Sequence, residues 1–241
     1  MKTLKKILAG LALAAGMLST AQASPINVAG VVWDPDAATD FSSQSINMRQ
    51  FLNTVDGTLS GFGIITAFNG QPQATFCPGC ELTFQFSGFT PVGGTIVPGV
   101  GQTITYNGGI VNVYVGGIEV LNPADYNALT WANTGNGTLF LSLANNYDFL
   151  GSHLFGGILA GLGFLDVTGG AAAGNFDTNT QAFGSDLRFS TSLTFDHIPG
   201  QIIDMSGTGN FRGNSIPEPE SLALVGLALL GLAATRRRKS A

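Results

Sequence analysis

The sequence predicts a mainly β protein, a single antiparallel β-sandwich of jelly-roll type carrying one or two short helices. Three observations point there. Glycine makes up 34 of 241 residues, about twice the share of roughly 7 % found in ordinary chains. Only 10 % of the residues are charged while 44 % are hydrophobic, which is too apolar for a disordered polymer. Short stretches alternate apolar and polar residues between turn signals, the period of a half-buried strand.

Taken in order, Val28 to Trp33 reads as the first strand, ending at Asp34-Pro35-Asp36. Met48, Phe51, Leu52 and Val55 fall at i, i+3, i+4 and i+7, the spacing of one helical face, before an Asp56-Gly57 turn. Phe62, Ile64, Thr66 and Phe68 then alternate up to Asn69-Gly70, and Leu82, Phe84 and Phe86 alternate with Thr83, Gln85 and Ser87. Thr103 to Val115 reads as a hairpin turning at Asn107-Gly108, since both residues tolerate the positive φ of a type I′ turn. Asn122-Pro123 resembles a cap followed by proline at the first helical position, which predicts a turn or two of helix over 124–132. Beyond Asn136-Gly137, Leu139, Leu141 and Leu143 form another alternation. Phe155 to Val167 is apolar, glycine-rich and too short to span a membrane, so it reads as a strand buried on both faces. Leu187, Phe189, Thr191, Leu193 and Phe195 form the longest alternation, one face of which must line the core. There is no repeat of fixed period, which counts against a propeller or solenoid.

Both ends of the chain depart from this pattern. At the front, Lys2, Lys5 and Lys6 precede an apolar run, Ile7 to Leu18, and a small-residue site at Ala21-Gln22-Ala23. That is the pattern of a secretory signal peptide cut between Ala23 and Ser24. At the back, Pro217-Glu218-Pro219 is followed by thirteen apolar residues, Leu222 to Ala234, and then by Arg236, Arg237, Arg238 and Lys239. The prolines keep the backbone extended, open to a protease. As a helix the apolar run spans about 20 Å, short of a hydrocarbon core of roughly 30 Å. The terminal cations favour the cytoplasmic side, so the segment reads as a temporary anchor with Pro-Glu-Pro outside.

This order of Pro217-Glu218-Pro219, a short helix containing Gly226 and Gly231, and an arginine cluster resembles the PEP-CTERM sorting segment of Gram-negative bacteria. The resemblance implies export by the general secretion machinery, transient anchoring in the membrane, and processing near the motif by an exosortase, a membrane protease. It further implies an association with exopolysaccharide and biofilm matrix, and the same tail occurs on some ice-binding proteins. The chain then divides into a signal helix (1–23), an exported acidic domain (24–215) and a sorting segment with its hydrophobic helix (216–241).

The exported domain holds thirteen carboxylates against Arg49, Arg188 and Arg212, a net charge of −10. Such a domain repels nucleic-acid phosphates and anionic headgroups, which leaves neutral sugars or divalent cations as the better-suited partners. Cys77-Pro78-Gly79-Cys80 in an exported chain predicts a disulfide across a type II turn. The alternatives are a redox pair, which lacks a βαβ setting, and half a metal site, which lacks a second C-x-x-C. Asp34, Asp36 and Asp40 offer oxygen ligands at a spacing calcium can use, but without the glycine and the distal glutamate of a calcium loop they read first as a solvated acidic loop and only second as a weak calcium site. His153 and His197 have no metal-ligand spacing, and the common hydrolase motifs are missing. Glu119, Asp148, Asp166 and Asp196 are the acids from which a glycosidase pair would have to come. Trp33, Trp131, Tyr114, Tyr126 and Tyr147 are candidate sugar-stacking rings wherever they are exposed. The expectation is a non-catalytic cell-envelope or matrix protein with a structural or adhesive role and no cofactor. A binding module for a glycan, calcium or ice is the alternative, and a secreted hydrolase ranks behind both.

Overall fold

A computed structural model describes residues 24–37, 46–94, 97–120, 125–197 and 202–216, the side chains of Ile46, Asp196 and His197 excepted. The fold is mainly β and antiparallel throughout, as expected. Its long strands are β3 (Ile46–Asn53), β4 (Leu59–Ile65), β7 (Cys80–Val92), β8 (Thr103–Gly117), β9 (Thr138–Asn145), β10 (Phe149–His153), β11 (Ile158–Gly169), β12 (Leu187–His197) and β13 (Ile202–Gly213). Two small hairpins, β1–β2 (Ile26–Val28, Val31–Trp33) and β5–β6 (Ala67–Phe68, Gln71–Pro72), stand outside the main sheet.

The nine long strands make one sheet that closes on itself. β9 pairs with β8 at Ile110 to Val115, and β10 pairs with the same strand at Thr103 to Tyr106. On the other side both also pair with β11. β9 and β10 are therefore two halves of one interrupted stave, and the circuit β3-β4-β7-β8-β9/β10-β11-β12-β13 returns to β3. Each stave neighbours the next in sequence, the order of an up-and-down barrel. An eight-stave barrel has an interior just wide enough for side chains to fill, and here phenylalanine fills it. Phe84, Phe89, Phe189 and Phe211 are fully buried, with Phe189 stacked on Phe211 at 4.4 Å.

Barrel closure explains the glycines. Gly61 and Gly63 on β4 face inward beneath the rings of Phe86 and Phe84, and Gly163 on β11 lies beneath Phe149. A large ring on one stave needs a missing side chain on the next.

Several expectations are corrected. The helix read from Met48, Phe51, Leu52 and Val55 is strand β3: Met48, Gln50 and Leu52 point inward, Phe51 lies outside against Phe62 and Trp131, and Val55 sits exposed in the following turn. Hydrogen-bonding partners on both sides, β4 and β13, outweigh a chance helical spacing. Asn107-Gly108 is no hairpin turn, because β8 runs through it. Gly108 and Gly109, at φ 63° and 94°, form an irregularity opposite Gly88 where β8 changes partner from β10 to β9. The real hairpin joins β7 to β8. Val28 to Trp33 is split by a turn at Ala29-Gly30. Leu139 is exposed because β9 slips register and sends Phe140 inward instead. The stretch from Phe155 becomes β11, mostly half-exposed, since a barrel wall buries only its inner face.

Other features match. Asn69-Gly70, at φ 51° and 73°, turns β5 into β6, and Leu187 to Phe195 is β12. Asn122, Pro123 and Ala124 lie outside the described residues. After them come a 3-10 turn, Tyr126–Ala128, capped by Asp125, and helix α2 (Trp131–Thr134), whose Thr130 and Asn133 form a capping box. Helices α1 (Gln73–Phe76) and α3 (Ala173–Phe176) are single turns that each bury a phenylalanine. Among the described residues no helix is long and apolar enough to cross a membrane.

The staves alternate direction, so the connections divide between two ends. One end, the mouth, carries the β3–β4, β7–β8, β10–β11 and β12–β13 connections. The other is closed by the β1–β2 hairpin, where Trp33 packs against Phe68, Phe140 and Phe176.

Candidate functional site

The sorting segment leaves from the closed end. β13 stops at Gly213, the Trp33 indole donates to Ser215 Oγ at 2.9 Å, and the Ile216 N–H donates to the Asn175 carbonyl at 2.8 Å. These bonds hold the chain against the plug up to the residue before Pro217. Pro217, Glu218, Pro219, Arg236, Arg237 and Arg238 lie outside the described residues, as do Ala23 on the N-terminal side and Asp40 in the acidic loop. Ser24 is described and exposed.

Cys77 and Cys80 are bonded as a disulfide with Cα atoms 5.1 Å apart, and Gly79 between them takes φ 79°. The expected turn needs a glycine there. The bridge lies between α1 and β7 and stiffens the plug near Gly30. Asp34 spends its Oδ1 on the Asp36 N–H at 2.9 Å, which makes the acidic turn self-contained.

The aromatic candidates separate by exposure. Trp33 is core, and Trp131 is half-exposed but leans on Phe62 and Phe51 outside the barrel. Tyr114 and Tyr126 are half-buried. Tyr147, in the break between β9 and β10, is 48 % exposed and stacks face to face on Phe183 with centroids 3.9 Å apart and planes within 7°. Phe183 is itself 57 % exposed and takes φ 62°, a left-handed conformation uncommon for an aromatic residue. Phe164 makes a T-shaped contact with Phe183, centroids 5.0 Å apart. Together the three rings form a ledge on the barrel wall.

The ledge rests on a polar base. Asn146 Nδ2 donates to Ser185 Oγ at 2.9 Å and reaches the Phe183 carbonyl at 3.4 Å. Asp186 is buried and accepts three backbone N–H groups, from Val167, Thr178 and Asn179, at 2.7 to 2.8 Å. It shapes the connection that presents Phe183. Asp166 stands beside this base, its carboxyl pushed up chiefly by burial and then by the charge of Asp186. Asp148 lies exposed next to Tyr147. Glu119 serves elsewhere, beside Glu81. The Glu81 carboxyl is buried on the outer face of β7, accepts from the Val120 N–H at 3.0 Å, and is pushed up mainly by desolvation. Of the four acids weighed for a hydrolytic pair, Asp148 and Asp166 flank the same ledge.

A second feature is a cavity of about 30 Å³ inside the mouth, lined by Gln50, Tyr106 and Thr191 among apolar side chains such as Leu52, Leu193 and Met205. Burial pushes the Tyr106 phenol up to about 12, so it remains a neutral hydroxyl. None of these three is a candidate site residue in the sequence, where Thr191 counts only toward the alternation of its strand. Gln50 becomes visible only once Met48-Gln50-Leu52 is read as a strand. Phe183 was equally hidden, because nothing local marks an aromatic residue for a positive φ.

Residues 215–239 match the family model of the PEP-CTERM protein-sorting motif, and that match covers the tail, not the barrel. No curated protein and no solved structure matches the chain. The tail marks an exported protein, transiently anchored in the membrane and then processed by exosortase, itself a membrane protein.

Proposed function

We propose that the processed barrel is a non-catalytic cell-envelope or matrix protein that adheres to extracellular polysaccharide at the surface of a Gram-negative bacterium. The observation supporting this is the exposed ledge of Tyr147 and Phe183. Exposed apolar rings beside polar residues suit the faces of sugar rings, and Asn146 and Asp148 are the exposed polar neighbours of Tyr147 along the chain. The net charge of −10 favours a neutral polymer over an anionic one. No cofactor enters this reading.

Affinity electrophoresis through gels containing neutral or uronate-rich exopolysaccharide tests it. Retardation by the neutral polymer should be lost in Tyr147→Ala and Phe183→Ser. Equal mobility of wild type and both variants would count against the ledge. A deletion strain with unchanged aggregation and matrix retention would count against the adhesive role itself.

A further inference from the structure

The mouth is unlike the rest of the surface. Of its four connections β12–β13 lies outside the described residues; the other three and the strand ends at the mouth expose Val55, Val92, Val97, Val100, Leu154, Phe155, Ile158 and Ile202, with Phe155 at 83 %. Their described residues include one carboxylate, Asp56, and no lysine or arginine. A contiguous apolar rim on an exported domain marks a surface that meets something apolar.

Inside that rim the wall turns polar. Gln50 is only 8 % exposed and lines the cavity. Thr191 at 7 % and Tyr106 at 2 % border the same space. Polar groups set behind an apolar rim suit an occupant with both characters, one end able to hydrogen-bond and the other apolar. Pro98 is buried over the opening, its carbonyl 2.9 Å from His153 Nδ1, which holds the β7–β8 connection across part of the mouth.

We propose that the mouth binds a neutral amphiphile, whose hydroxyl or amide head enters between Gln50, Tyr106 and Thr191 while its hydrocarbon body lies on the apolar rim. The size of the cavity decides the orientation. About 30 Å³ admits one or two water-sized groups, which accommodates a head group but not a chain. Among the described residues of the mouth connections there is no lysine or arginine, so a carboxylate head would be desolvated with no such cation to neutralise it. The site is separate from the aromatic ledge on the wall.

Titration of the exported protein with 1-octanol, octanoate and n-octane, followed by 1H–15N NMR, tests the proposal. Saturable shifts should appear for 1-octanol at the Gln50 side-chain amide and at rim residues, with octanoate at pH 8 at least about tenfold weaker. Gln50→Leu should weaken 1-octanol about tenfold, the loss of one buried hydrogen bond. Because Gln50 is buried, the exposed double variant Phe155→Ser, Ile202→Ser provides an independent check and should also weaken binding with an unchanged melting temperature. Equal binding of 1-octanol and octanoate, octanol shifts spread over the surface with Gln50 unmoved, or affinity unaltered in both variants would overturn it.

Discussion

Replacing Gly63 by alanine should be among the most damaging single-methyl changes available in this chain. Gly63 faces the barrel interior on β4, between Met48 of β3 and Phe84 of β7. A Cβ there would lie 2.5 Å from Phe84 Cε1 and Cζ, and 2.5 Å from the Asn47 carbonyl oxygen. Ordinary contacts need about 3.5 Å, so the two sides must open by about 1 Å. Phe84 cannot retreat, because Phe189 and Phe211 pack against it in T-shaped contacts at 6.2 and 5.4 Å. The Asn47 oxygen belongs to the neighbouring backbone and has no rotamer to change. Overpacking typically costs about 1–3 kcal/mol, and two immobile neighbours place this case at the top of that range. For a domain of this size about 3 kcal/mol corresponds to a melting point lower by roughly 6–12 °C. Gly117→Ala is the control: its Cβ would meet nothing within 4 Å, so it should be neutral or slightly stabilising. Urea unfolding followed by tryptophan fluorescence reads both. If Gly63→Ala unfolds at the same urea concentration as Gly117→Ala, the ring-over-glycine account of the barrel is wrong.

Three further outcomes follow from the packing and hydrogen bonds of the barrel. Fold raises the Glu81 carboxyl, so its neutral form is the stabilised one: that contribution is complete below the unfolded value and is lost as pH rises through the folded value. Glu81→Gln should therefore be more stable than wild type at pH 7, with the gap closing below about pH 4; a gap that stays constant with pH contradicts this. Replacing Cys77 and Cys80 together by serine should cost about 2 kcal/mol on the chain-entropy estimate for so small a ring, read as the difference in urea midpoint, and unfolding outright would show that the bridge holds more than its turn. Asp186→Ala abandons three backbone N–H groups and should cost about 3 kcal/mol or more, while also loosening Phe183 and so weakening polysaccharide retardation. Full retention of polymer binding in that variant would separate Asp186 from the ledge.

Legibility varied with the range of the interaction that decided each feature. Strands with strict alternation, such as Leu82-Phe84-Phe86 and Leu187 to Phe195, were readable because the period of two is local. So were the Asn69-Gly70 turn and the Cys77–Cys80 bridge, which depend on residues one to three apart. β3 was misread because its apolar residues fit a helical period by chance, and only the ladders to β4 and β13 override it. The misread at Asn107-Gly108 has the same origin: the dipeptide permits a turn, and the strand on either side uses it for a bend. The ledge escaped notice because Tyr147 and Phe183 stand 36 positions apart and meet only through the long β11–β12 connection.

By itself the sequence determined the route of this protein and the material of its domain. Pro217-Glu218-Pro219, the apolar run and the terminal arginines form a linear signal, legible without a fold because its three parts follow one another within a single short stretch of chain. Composition likewise settled an antiparallel, glycine-rich and acidic β domain. What only the tertiary structure decided is that the sheet closes. Closure is a pairing between staves distant in sequence, β13 with β3 and the halves β9 and β10 with β11. It turns scattered glycines into seats for phenylalanine rings, puts Gln50 inside a cavity, and sends the sorting tail out of one end while the apolar mouth opens at the other.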